Sequence, residues 1–222
     1  MFRNPFILLT PLYPLHLSHM TKPFIARDRW AIRAQVEGYR ARSVYKLMEI
    51  DQRFHLLRPG LRILDVGAAP GSWLQYIAKR LQGRGIVIGV DREPIAPLGT
   101  SNVQTFERCI GDGKGIDGDL QRIGMTTFDL LLSDLAPNTS GVAEIDQFRS
   151  IELNRHVLTI ADRWLRPGGD SVLKVFRGED FESFLAEVRD QFARVKLISP
   201  RASRDRSREV YLVCQGWKAR ER

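Results

Sequence analysis

Asp65-Val66-Gly67-Ala68-Ala69-Pro70-Gly71-Ser72-Trp73 decides the fold of this chain. It closes the apolar run Leu61 to Val66, short and continuous like a central parallel strand buried on both faces. Glycines then turn the chain, and Trp73 to Leu81 carries a helical pattern. A strand, a glycine turn and a helix open an α/β unit, and such units bind ligands beyond the carboxyl ends of their strands. Gly67 and Gly71 let backbone approach a ligand closely. The glycine spacing is not that of a dinucleotide site, and Pro70 removes an amide that a pyrophosphate would use. The turn therefore suits a cationic, phosphate-free ligand better.

Downstream the alternation continues. Gly85 to Asp91 is a second strand closing on a carboxylate, Val103 to Phe106 a weak third, and Phe128 to Ser133 a fourth ending in Asp134. A long helix runs to about Trp164, and Pro167-Gly168-Gly169 breaks it. Ser171 to Phe176 is a fifth strand, Phe181 to Phe192 an amphipathic helix, and Val195 to Ile198 and Val210 to Val213 two final strands. Upstream, apolar residues recur at helical spacing from Ala31 to Phe54, with Ser43 as the expected cap of a second helix carrying Lys46. Seven strands alternating with helices predict an α/β fold, a mostly parallel sheet with helices on both faces.

Bulk properties narrow the function. The 222 residues make one domain with a real core, and a formal charge of +8 favours a polyanionic partner, nucleic acid first. Basic residues crowd two regions, Lys22 to Lys46 and Arg194 to Arg208. Cys109 and Cys214 are too few for a disulfide framework, and the four histidines lack metal-ligand spacing. No metal is expected. Phe6 to Leu17 is apolar but too short to span a membrane, and Pro11 and Pro14 interrupt it. The expectation is a disordered leader over 1–20, with Met20 a candidate start and a mitochondrial presequence the alternative, followed by a single domain over 21–222 with a basic helical N-terminal segment. The chain is expected to be monomeric and cytoplasmic.

Several carboxylates fall at strand ends. Asp91 suits a ribose diol, because a carboxylate accepts both hydroxyl protons. Asp112, in the glycine-rich stretch Gly111 to Gly118, suits an adenine amino group. On residues alone a dinucleotide site remains open, since an acidic residue some 20 positions after a glycine turn also describes one.

Four segments together carry a resemblance: the Asp65–Trp73 turn, Ser133-Asp134-Leu135-Ala136-Pro137-Asn138-Thr139-Ser140-Gly141, Lys174-Val175-Phe176-Arg177-Gly178, and Ser203 to Tyr211. From about Arg27 to Trp217 the chain resembles the FtsJ/RrmJ family of S-adenosylmethionine-dependent RNA ribose 2′-O-methyltransferases. The resemblance implies a Rossmann-like methyltransferase fold. It also implies a catalytic tetrad of Lys46, Asp134, Lys174 and Glu209, and a cofactor site of Gly71, Trp73, Asp91, Asp112 and Asp134. Ser72 stands where the family has a second glycine.

The chemistry agrees with this. A ribose 2′-hydroxyl is a poor nucleophile, so methyl transfer needs a positioned base and in-line approach. Lys174, at the end of an apolar strand, suits the base; Lys46 would neutralise the developing alkoxide or bind phosphate; Glu209 and Asp134 would orient both. A non-catalytic RNA-binding relative and a dinucleotide-dependent oxidoreductase are the other classes, disfavoured by the intact tetrad and by the glycine spacing. Among RNAs, the compact chain suggests a uridine of large-subunit ribosomal RNA, with the transfer RNA anticodon loop as the alternative.

Overall fold

The computed structural model describes residues 28–111, 115–203 and 207–219. The expected leader, Asp112, Arg204 and Arg206 lie outside them. The elements run α1 (Arg29–Val36), α2 (Val44–Phe54), β1 (Arg62–Val66), α3 (Ser72–Leu81), β2 (Ile86–Asp91), β3 (Val103–Glu107), α4 (Asp117–Arg122), β4 (Phe128–Ser133), α5 (Ala143–Trp164), β5 (Leu165–Phe176), α6 (Phe181–Gln191), β6 (Phe192–Ile198) and β7 (Glu209–Trp217).

Seven strands form one sheet in the order β3-β2-β1-β4-β5-β7-β6. The first five pair parallel, and β7 runs antiparallel to both β5 and β6. The strand order reverses between β1 and β4, the switch point at which open α/β sheets bind ligands.

Alternation along each strand divides the core in two. Leu64, Val66, Ile88, Val90, Leu173 and Val175 face the α5 and α6 side. Ile63, Val87, Leu132, Val172, Tyr211 and Val213 face the α2 and α3 side. By the same alternation Lys174, between Leu173 and Val175, falls on the α2 and α3 side. Its cross-strand partner on β7 is Tyr211, and Phe176 pairs with Glu209.

Three local expectations differ. α4 follows the glycine-rich stretch Gly111 to Gly118, where the sequence showed no helix: two glycines at 115 and 118 hide the periodicity, yet Ile116 and Leu120 are fully buried. β5 begins at Leu165 and carries Pro167-Gly168-Gly169 within it, where the pairing with β4 is irregular between Phe128 and Leu130. Ser43 is the N-cap residue of α2 but makes no side-chain cap; its hydroxyl meets that of Ser72 at 2.9 Å, tying α2 to α3. Among the described residues no helix is long and apolar enough to cross a membrane.

Candidate active site

The four tetrad residues converge from four elements. Lys46 sits in the first turn of α2, Asp134 directly after β4, Lys174 in β5, and Glu209 at the start of β7. They form two ion pairs. Lys46 Nζ lies 2.6 Å from Glu209 Oε1, and Lys174 Nζ lies 3.0 Å from Asp134 Oδ1. Lys174 also donates to the Asp134 carbonyl. Both lysines are buried, at 6% exposure each, so their charges depend on these partners.

Tyr211 joins the two pairs. Its hydroxyl donates to Asp134 Oδ1 at 2.6 Å, and Lys46 Nζ lies 5.7 Å from its ring centroid. Burial and the neighbouring Asp134 and Glu209 carboxylates push the Tyr211 phenol well above its usual range, so it stays a donor. Ser203 donates to Glu209 Oε1 at 2.6 Å and fixes that carboxylate. Behind β5, Asn154 donates to the Lys174 carbonyl at 2.7 Å and holds the strand end in place.

A cavity of about 790 Å³ opens beside the tetrad. The ends of β1, β2 and β4 and the flank of α5 line it, including Gly67, Asp91, Asp134, Asn138, Phe148 and His156. This volume is ordinary for a small-molecule site. The Asp91 carboxylate is aimed by backbone: Ala69 N–H donates to one oxygen and Glu93 N–H to the other, each at 2.9 Å. Each oxygen keeps a further lone pair for a ligand hydroxyl. Asp134 belongs to both features, lining the cavity while it holds Lys174 and Tyr211.

The sequence-derived cofactor residues divide accordingly. Asp91 and Asp134 line the cavity, whereas Gly71 and Trp73 do not. Gly71 leaves room for Arg40: a Cβ there would lie 2.7 Å from the Arg40 guanidinium. That guanidinium donates to the carbonyls of Pro70, Ala96 and Pro97 and so clamps the glycine turn to the loop after β2. Trp73 is buried and its indole N–H donates to the Ser43 carbonyl at 2.9 Å.

Sequence reasoning passed over one residue of the site, Tyr211, and a buried carboxylate near it, Asp65. Tyr211 lies two positions after Glu209, on the same face of one strand, which period-two spacing makes visible. Asp65 is fully buried in β1, and no described group hydrogen-bonds its carboxylate oxygens. Burial first, then the Asp134 and Asp91 charges, push its carboxyl well above the usual range. The signal was a carboxylate inside an apolar strand run.

Comparison with known proteins adds independent weight. A profile of FtsJ-like methyltransferases matches residues 39–217. The chain is 44% identical over 187 residues to ribosomal RNA large subunit methyltransferase E of Methanothrix thermoacetophila, covering 84% of this chain and 71% of that one. It is 46% identical over 186 residues to the protein of the same name from an Azoarcus species, covering 84% and 90%. Among solved structures, a chain assigned as a ribosomal RNA methyltransferase from Plasmodium falciparum superposes with TM-score 0.74 at 29% identity, covering 82% of this chain and 100% of that one. Fibrillarin of Aeropyrum pernix, solved with natively bound S-adenosyl-L-methionine, matches at TM-score 0.51 and 16% identity over 77% and 76% of the two chains, a likeness of fold.

Proposed function

The chain belongs to the FtsJ-like methyltransferase family, and from that premise we propose that it transfers the methyl group of S-adenosylmethionine to a ribose 2′-hydroxyl of large-subunit ribosomal RNA. The observation that carries the reading is Asp134, which lines the cofactor-sized cavity and holds the buried Lys174 at once. Cofactor and acceptor sites therefore share one carboxylate.

The residues present fit the cofactor. Asp91 would take the ribose diol, and Asp134 would offer negative charge to the sulfonium end. Gly71 and Trp73 would act by shaping the turn and the first turn of α3. Asp112 is retained for the adenine edge. When bound, S-adenosylmethionine supplies an electrophilic methyl group.

The protein's own residues supply the rest. As the neutral amine, Lys174 is the general base for the 2′-hydroxyl. Its two N–H bonds point to the two Asp134 acceptors, its lone pair takes the hydroxyl proton, and it becomes an ammonium paired with the Asp134 carboxylate. Lys46, braced by Glu209, stabilises developing oxyanion charge or the neighbouring phosphate. Tyr211 keeps the Asp134 carboxylate fixed while charge moves. All four tetrad residues come from one chain, which supports a working monomer. Two unpaired thiols suit a reducing cytoplasm.

The experiment is to incubate purified chain and labelled S-adenosylmethionine with large-subunit ribosomal RNA and with transfer RNA from cells lacking the protein, then map the methylated nucleotides. The expected product is a ribose-methylated uridine in large-subunit RNA. A methyl group on a base, or in the transfer RNA alone, would overturn the reading.

A further inference from the structure

A second cavity, about 440 Å³, opens on the outer face of α1 and α2. Trp30, Arg33, Tyr45, Glu49, Gln52 and Arg201 are among its lining residues. Its wall is a cluster of flat groups, with the Trp30 and Tyr45 rings tilted by 41° to each other. The Trp30 and Tyr45 ring centroids are 5.1 Å apart. The Arg33 guanidinium lies 4.7 Å from the Tyr45 ring centroid and 5.9 Å from that of Trp30. Glu37 accepts from Arg33 Nε at 2.7 Å and restrains the guanidinium in place. Tyr45 is buried among Ala34, Val44 and Ala202, so the wall rests on packed side chains.

The polar edge of this cavity carries a carboxylate. Glu49 Oε2 accepts from the Arg201 amide at 2.8 Å, and no described group donates to its other oxygen. The site also abuts the tetrad. Glu49 follows Lys46 by three residues, about 4.5 Å along the α2 axis. Arg201 leads through buried Ala202 to Ser203, which donates to Glu209. Three arginines and one carboxylate line the cavity, a charge balance suited to a polyanion.

We propose that this cavity binds an unpaired guanine of the substrate RNA, close to the methylated ribose, with the base stacked on the Arg33 guanidinium and the Trp30 ring, which buried Tyr45 backs, and its donor edge turned to Glu49. The proposal rests on the RNA-methyltransferase reading above. Single-stranded RNA is recognised by stacking bases on aromatic rings and arginine planes. A carboxylate only accepts hydrogen bonds, and guanine presents two adjacent N–H donors on one edge. Phosphates flanking that base would meet Arg53 and Arg201.

The test is fluorescence anisotropy on the full chain with three labelled probes: a short oligouridylate carrying one guanosine, its all-uridine parent, and a version abasic at that position. The wild-type chain should bind the guanosine probe most tightly. Glu49→Gln should erase the preference. Arg33→Lys keeps the charge but removes the plane, so it should weaken the guanosine probe by about fivefold or more, the lower end for loss of one stacked base. It should leave the abasic probe unchanged. Unchanged S-adenosylmethionine affinity in both variants would show that the fold is intact. Equal wild-type affinity for all three probes would overturn the proposal. So would an Arg33→Lys effect equal on all three, which would mean phosphate contact alone. A chain that prefers guanosine but methylates no RNA would refute the methyltransferase reading alone; one that methylates RNA without a base preference would refute this site alone.

Discussion

Two residues, Lys174 and Asp65, are poised by the same physics with opposite results. Lys174 is buried but has a carboxylate and a carbonyl as partners. Lys174→Ala should lower turnover about a hundredfold or more, the usual contribution of a positioned acid–base group, with cofactor affinity kept. Lys174→Arg should fail as well, because a guanidinium stays protonated and cannot take the hydroxyl proton. Near-normal single-turnover rates in Lys174→Arg would reduce the lysine to a fixed charge. Asp65 is buried with no described hydrogen-bond partner, and its carboxyl titrates well above the unfolded value of about 4. Between those two values the native state holds a proton that the unfolded chain has lost, so stability falls as pH rises. Asp65→Asn removes that penalty. Its melting temperature should exceed the wild type's at neutral pH; in a domain of this size each 1 kcal/mol shifts it by about 2–4 °C. The gap should close as pH approaches 4. A gap that is constant across pH would show that Asp65 is not titrating. Asp65 also shows what sequence reading misses: its identity was plain, but its lack of a partner depends on what packs around β1.

At the scale of elements, the strand ends were the most legible feature. Asp91 and Asp134 fall at the ends of β2 and β4 because apolar runs stop there, and both line the cavity. The antiparallel course of β7 was not legible, because direction within a sheet is set by pairing partners rather than by the strand's own pattern. That course brings Glu209 beside Phe176 and hence to the Lys46 side chain. Gly71 shows a right residue with an unforeseen reason, room for the Arg40 clamp. Gly85 offers a test at this scale. It directly precedes β2 at φ +103°, and an added Cβ would lie 2.3 Å from the Leu61 carbonyl, which accepts from Ile86 N–H at 3.0 Å. Gly83, at φ +72°, has nothing within 4 Å of an added Cβ. Gly83→Ala should therefore cost about 1 kcal/mol of backbone strain. Gly85→Ala should cost clearly more, about 2–4 kcal/mol, because the β1–β2 start must shift to relieve the clash. Equal midpoints in chemical unfolding would show that the loop before β2 yields freely.

Over the whole molecule, a formal charge of +8 overstates what RNA can reach. Much of the arginine content is internal scaffolding. Arg40 clamps carbonyls, Arg42 pairs with Asp28 at the N-cap of α1, Arg62 and Arg166 both pair with Asp129, and Arg80 pairs with buried Asp51. The exposed Arg177 and Arg208 are placed differently. Arg177 N–H donates to the Arg208 carbonyl at 2.9 Å, one step beyond the Phe176 and Glu209 pair. They flank the tetrad, so phosphates next to a ribose held there would come within their reach. Affinity for single-stranded RNA should fall steeply with salt, because each neutralised phosphate releases counterions. Arg177→Ala and Arg208→Ala should each lower the slope of log affinity against log salt by about 0.7. Arg189, exposed on α6 against the opposite face of the sheet, is the control whose replacement should leave the slope unchanged. Filter binding across a salt series decides between two pictures. Equal slopes for all four proteins would mean that RNA is held by a diffuse positive field. A drop confined to Arg177→Ala and Arg208→Ala would mean that a few phosphate contacts at the tetrad rim set the register of the reacting ribose.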